Sequence, residues 1–93
     1  MRKIEATTQF KKDYKREKRG QRSANLERDL KTVLDILCED AELSKEYKDH
    51  RLSGEWREFR DCHVRPDLIL IYCKRDPAIL QVVRLGSHSE LNL

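Results

Sequence analysis

Three histidines and a group of carboxylates supply the side chains that can move protons. His50 and His63 share the stretch from Lys48 to Leu70 with Asp49, Glu55, Glu58, Asp61 and Asp67, and His88 stands near the far end. An imidazole titrates close to neutral pH, so it can take or give a proton under working conditions. Cleavage of RNA by its own ribose 2′-hydroxyl needs a base for that hydroxyl, an acid for the leaving 5′-oxygen and a cation to steady the phosphate. Each proton-transfer role is worth roughly 10²–10⁴ in rate. A carboxylate such as Asp67 can orient an imidazole or raise its pKa by opposite charge. The scheme calls for no metal and no cofactor. The residues alone leave other readings open: plain surface histidines, a metal site built from Asp61, His63, Asp67 and His88, a nucleophilic pair of Cys62 or Cys73 with a histidine, or a module that only binds protein or RNA. No P-loop and no dinucleotide fingerprint is present.

The chain has 93 residues, which is one domain spanning 1–93 and enough for one modest core. Apolar residues make up 38% and charged residues 40%, yet the apolar ones fall in periodic runs, so the chain reads as folded. The formal charge is +3, a mild basicity compatible with a polyanion partner. The three cysteines, Cys38, Cys62 and Cys73, lie in apolar runs with no paired spacing, as buried thiols of a reducing compartment do. Met1-Arg2-Lys3 opens no apolar leader, and the longest apolar run, Leu68 to Cys73, is too short to cross a membrane. The expectation is a soluble cytoplasmic protein.

Elements that position the histidines follow from patterning. Arg2 to Ala6 is a short strand with Ile4 turned inward. Thr7 or Thr8 caps a first helix that runs to about Arg19, buries Phe10 and Tyr14, and ends on a left-handed Gly20. Lys11, Lys12, Lys15, Arg16, Lys18, Arg19 and Arg22 against Asp13 and Glu17 give this segment a net +5. That face suits phosphates or an acidic protein, or is simply solvated. Ser23 or Asn25 caps a second helix ending near Glu39, whose Leu26, Leu30, Val33, Leu34 and Leu37 recur at helical spacing. Asp40 to Tyr47 reads as a loop with a helical turn. Trp56 to Val64 alternates as a strand, with Arg57, Phe59, Asp61 and His63 on one face. Arg65-Pro66-Asp67 turns the chain into Leu68 to Cys73, apolar on both faces as a central strand is. Ile79 to Leu85 is the last strand, broken by Gly86, and Ser87 to Leu93 is a tail with room for a helical turn. Hairpin-short connections make the last three strands an antiparallel meander. The expected fold is two-layer α+β, β-α-α-β-β-β, with a helical hairpin on one face of a mainly antiparallel sheet. The antiparallel course of the last strand brings His88 back to Asp67, so the three histidines can meet at one edge of the uncovered face.

At these residues the sequence resembles a known family. Lys48-Asp49-His50, Leu52-x-Gly54-x-Trp56, Arg60-Asp61-x-His63-Val64-x-Pro66-Asp67, Ile69-Leu70-Ile71-Tyr72 and Arg84-x-Gly86-x-His88 are similar to the YafQ toxins, within the RelE/ParE superfamily of bacterial toxin–antitoxin modules. The resemblance covers nearly the whole second half in register. It implies a RelE-like fold and a ribosome-dependent endoribonuclease that cuts mRNA in the A site of the 70S ribosome. It also implies an acidic antitoxin whose ribbon-helix-helix part binds operator DNA, with DNA reached only through that complex. Carried across, His50, His63, Asp67 and His88 match catalytic positions and Asp61 a contributing acidic one. His88 becomes the general acid, His50 or Asp67 the base, and His63 the phosphate-stabilising group. Lys11, Lys12, Lys15, Arg16, Arg57, Arg60, Arg84 and Asn92 are set against RNA. Asn92 stands where the family pattern has an aromatic able to stack on a base, a contact worth roughly 1–3 kcal/mol.

Overall fold

The computed structural model describes residues 1–21 and 23–93; Arg22, counted above in the basic segment, lies outside the described residues. The elements are β1 (Lys3–Ala6), α1 (Thr8–Arg19), α2 (Leu26–Cys38), β2 (His50–Arg51), β3 (Arg60–Arg65), β4 (Leu68–Cys73), β5 (Ile79–Gly86) and α3 (His88–Leu91). Single 3₁₀ turns, Lys45–Tyr47 and Gly54–Trp56, flank β2. The sheet runs in the order β1-β5-β4-β3-β2. The β3-β4-β5 meander is antiparallel as expected, while β1 closes the other side of β5 in parallel, Lys3 opposite Ile79 and Ala6 opposite Val82.

All six residues of β4 are buried, as its unbroken apolar run requires of a central strand. Its even-numbered side chains, Leu68, Leu70 and Tyr72, meet Phe10 of α1 and Leu26, Leu30, Val33 and Leu37 of α2 in the main core. Each such side chain contributes about 1.5–3 kcal/mol on burial, which makes the stripe of α2 the chief anchor of the helical layer. The opposite face is not bare. Ile69 and Ile71 lie under Leu91 of α3, with Leu52, Trp56, Phe59 and Val83 packed against them. The helical turn in the tail therefore forms because it covers apolar surface. A capping box, Ser87 with Glu90, starts it.

Several boundaries differ from the patterning. Ile4 is 47% exposed; on a short edge strand it has little to pack against beyond the groove it lines with Ala6, Phe10 and Tyr14. Gly20 leaves α1 extended, at φ −92°, so its backbone needs no glycine. Asn25 precedes α2 in the left-handed region, at φ 58°, and its side chain makes no capping bond. The strand pattern from Trp56 begins only at Arg60, because Trp56 folds into a 3₁₀ turn and stacks edge-on against Phe59. Gly86 ends β5 inside the ladder, opposite Ile69.

β1 ends at Ala6, opposite Val82, yet β5 continues to Gly86. Side chains of α1 replace the missing strand. Thr7 caps the helix through Phe10 N at 3.0 Å and donates its hydroxyl to Val83 O at 2.8 Å. Asp13, fully buried, accepts from Leu85 N at 3.0 Å, and Arg16 donates to Leu85 O at 2.8 Å. Burial pushes the Asp13 carboxyl upward, but hydrogen bonds from Arg84, Leu85 N–H and Gln9 outweigh it and hold the group below the usual carboxylate range. A carboxyl depressed in the folded state stabilises above its unfolded pKa, about 3.9, and that stability is lost as pH falls through the folded value. Asp13→Ala should therefore lower the unfolding free energy by about 2–4 kcal/mol near neutral pH, leaving buried donors unmet. In urea titrations the gap between variant and parent should close below about pH 4; a gap that is constant from neutral to acid would show that the ionised form does not matter.

Candidate active site

β2 exists because Tyr72 and Arg60 fix the chain just before it. The Tyr72 hydroxyl, at the end of a buried ring, donates to Asp49 Oδ1 at 2.5 Å, and Arg60 reaches both Asp49 oxygens at 3.3 Å. A buried tyrosine needs such a partner for its hydroxyl. Burial, with Asp49 beside it, drives the Tyr72 pKa upward. Asp49 held in this way sets Lys48 in the left-handed region, at φ 50°, and places His50 opposite Asp61 in the ladder. The Lys48 carbonyl oxygen lies 2.8 Å from His50 Nδ1. A carbonyl can only accept, so Nδ1 carries a proton, and in the neutral ring the lone pair is then on Nε2.

Asp61 lies behind His50. Its Oδ1 is 3.2 Å from Nδ1, but the N–H is aimed at Lys48, and Oδ1 has no hydrogen-bond partner among the described residues. Burial raises the Asp61 pKa, and the attraction of His50, His63 and His88 opposes that rise. The Asp61 carboxyl is thus set among three imidazoles, and its ionised form is the one that attracts their charged forms. His63, two residues on, shares the Asp61 face of β3. Its ring meets the ring of His88 edge-on, with centroids 5.3 Å apart. His88 is the first residue of α3, delivered there by the pairing of Gly86 with Ile69.

His50, Asp61, His88 and Asn92 line one open hollow together with Leu52, Ser53, Trp56 and Leu93. Its volume, about 420 Å³, falls in the roughly 300–1,000 Å³ range of ligand clefts. Asp67 sits in the β3–β4 turn and lines a different hollow, with Arg16, Glu17 and Glu90. Four of the five proposed acid–base residues therefore cluster, and Asp67 stands to one side. The cations divide too. Lys11, Lys12, Lys15 and Arg57 are exposed. Arg60 is paired with Asp49, Arg84 with Asp13, and Arg16 with Asp13, Glu17 and Glu90. Sequence reasoning missed Trp56 and Leu93 as walls of the hollow, and missed Asp49. A tyrosine hydroxyl inside an apolar strand was the available signal for Asp49.

A small α+β fold with a carboxylate-backed histidine cluster defines a candidate proton-transfer protein. Comparison with known proteins is specific. The model of the family described as "Bacterial toxin of type II toxin-antitoxin system, YafQ" matches residues 2–93. The mRNA interferase toxin YafQ of Escherichia coli K12 is 39% identical over 88 residues, 95% of this chain and 92% of that protein. A crystal structure of a copper-bound variant toxin from Helicobacter pylori superposes with a TM-score of 0.88 at 35% identity, covering 98% of this chain and 99% of that one. The E. coli DinJ–YafQ complex contains a chain with a TM-score of 0.82 at 38% identity, covering 98% of each. This chain belongs to the YafQ family of type II toxin–antitoxin toxins.

Tyr72→Phe removes one hydrogen bond to a carboxylate without opening a cavity. It should cost about 1.5–3 kcal/mol in denaturant unfolding. It should also broaden or shift the His50 ring signals in NMR while those of His63 stay in place. Unchanged stability and an unchanged His50 would show that Asp49 does not position that histidine.

Proposed function

We propose that this chain, as one domain, is the mRNA-cleaving toxin of its toxin–antitoxin pair. It is a metal-independent endoribonuclease acting in the ribosomal A site. The supporting observation is the single hollow lined by His50, Asp61 and His88, with the His63 ring against His88. In the proposed reaction a base takes the proton of a ribose 2′-hydroxyl and the 2′-oxygen attacks the adjacent phosphorus. The bond from phosphorus to the 5′-oxygen breaks as His88 gives that oxygen a proton. The products are a 2′,3′-cyclic phosphate and a 5′-hydroxyl. His50 is the better base than Asp67: it borders the same hollow as His88 and its Nε2 lone pair is free of the Lys48 bond. His63 steadies the phosphate, and Asp61 favours the charged imidazoles. Asn92 borders the path of the RNA, and exposed Lys11, Lys12, Lys15 and Arg57 meet its phosphates or those of ribosomal RNA.

The partner is an acidic antitoxin, with operator DNA bound through its ribbon-helix-helix part; the solved DinJ–YafQ complex of a relative supports such a pairing. A cytoplasmic site of action follows from a ribosomal substrate, and no helix among the described residues is long and apolar enough to cross a membrane.

The test is mapping of mRNA 5′ ends after induction, with cleavage assays with and without ribosomes. Discrete in-frame cuts that require ribosomes are expected, and His88→Ala should slow them by roughly 10²–10⁴ with the circular dichroism unchanged. Intact message beside arrested growth would favour a non-catalytic binder, and full toxicity of His88→Ala would remove His88 from the acid role.

A further inference from the structure

The Arg16 guanidinium lies at the junction of α1, β5 and α3. Its Nη1 contacts Asp13 Oδ1 at 2.9 Å, and its Nη2 contacts Leu85 O at 2.8 Å and Glu17 Oε2 at 3.1 Å. Its Nε is 3.2 Å from both Glu17 Oε2 and Glu90 Oε2. Asp13 and Glu17 are buried, so two of these carboxylates are fixed and in turn fix the guanidinium. Glu90 is the other half of the α3 capping box: its Oε1 accepts from Ser87 N at 2.8 Å, and its own N–H donates to Ser87 Oγ at 3.2 Å. His88 lies between Ser87 and Glu90, inside the box that Arg16 holds against the sheet. The backbone makes room for this: a Cβ on Gly86 would come within 2.9 Å of Arg16 Nη2 and 3.1 Å of Glu90 Oε1.

We propose that Arg16 is a positioning residue, tying the α3 capping box to the buried carboxylates of α1 and so setting the His88 imidazole against His63 over the hollow. An isolated four-residue helix has no stability of its own; Leu91 anchors its far end on Ile69 and Ile71, and the Arg16 tie fixes the first turn, which carries His88. The proposal rests on His88 being the proton donor. It moves Arg16 from the RNA-contact group to the support of the site, since an incoming phosphate would have to displace carboxylates already bonded to it. Lysine cannot reproduce the fork that spans Asp13, Leu85 O and Glu90.

The full-length toxin, purified from its antitoxin complex, serves for the test. Arg16→Lys and Gly86→Ala should each lower the kcat of ribosome-dependent cleavage by roughly ten- to a hundred-fold, as loss of reacting geometry does, with KM little changed. The NMR cross-peak between the His63 and His88 rings should weaken, while those between α2 and the sheet persist. In a His88→Ala background Arg16→Lys should have no further effect, because nothing is left to position. A raised KM with kcat intact would make Arg16 an RNA contact and overturn the proposal. So would an additive loss in the double variant, or an unchanged cross-peak. If His88→Ala alone leaves cleavage intact, the acid reading fails instead; the cross-peak then still decides whether Arg16 holds His88.

Discussion

The structure depends on how the upper edge of β5 is satisfied. Past Val82 that strand has no neighbour on one side, and unmet N–H and C=O groups there would cost about as much as lost hydrogen bonds. The buried Asp13 carboxylate and Arg16 supply the partners from α1. This choice has consequences. A charge at zero exposure must be matched, so Arg84 and Arg16 are drawn to it. The helix is thereby fixed on the sheet at a polar junction, while its apolar neighbour α2 fills the core beside it. The same guanidinium then meets α3, so one ion-pair cluster sets both the helical layer and the end of the chain that carries His88.

The far side of the sheet is organised differently. Tyr72 belongs to the main core by its ring, and by its hydroxyl to the segment that enters β2. Between Tyr72 and His50 stand one aspartate and one left-handed lysine. His50 on one side and His88 on the other are each held by charged groups rooted in the helix-facing half of the protein. Asp61 and His63 come from the strand between them. The cluster therefore opens to solvent at His50 and His88 while its supports are hydrogen-bonded or ion-paired, an arrangement that suits the proposed proton transfer on a large substrate. Membership of the YafQ family fits such a construction, and the close superposition on the toxin chain of the DinJ–YafQ complex shows that the frame is shared.

Much of this architecture was legible in one dimension. The stripe of α2, the apolar run of β4 and the hairpin turn at Pro66-Asp67 each carry a local physical signal, and the meander follows from short connections. The alternation that sets Asp61 and His63 on one face held within β3. What misled was local rules applied where tertiary contacts prevail. Ile4 is apolar yet lies at an edge, Gly20 has a conformation any residue adopts, and Trp56 gave up a strand to pack on Phe59. Asp13 and Glu17 stood at helical spacing from Phe10, which is a core-facing pattern, but as carboxylates they read as surface charges.

The sequence by itself determined which side chains can do chemistry, the order of the elements that carry them and the family whose pattern they repeat. Periodicity, turn chemistry and motif spacing are properties of the chain that survive without any partner. Tertiary structure decided which of those side chains meet. It set Asp61 behind His50 and the ring of His63 on that of His88, and it left Asp67 at another hollow. It also turned Arg16, Arg60 and Arg84 into internal ties. Those outcomes depend on distances between residues far apart in sequence and on the cost of burying a charge, and neither is written in local spacing.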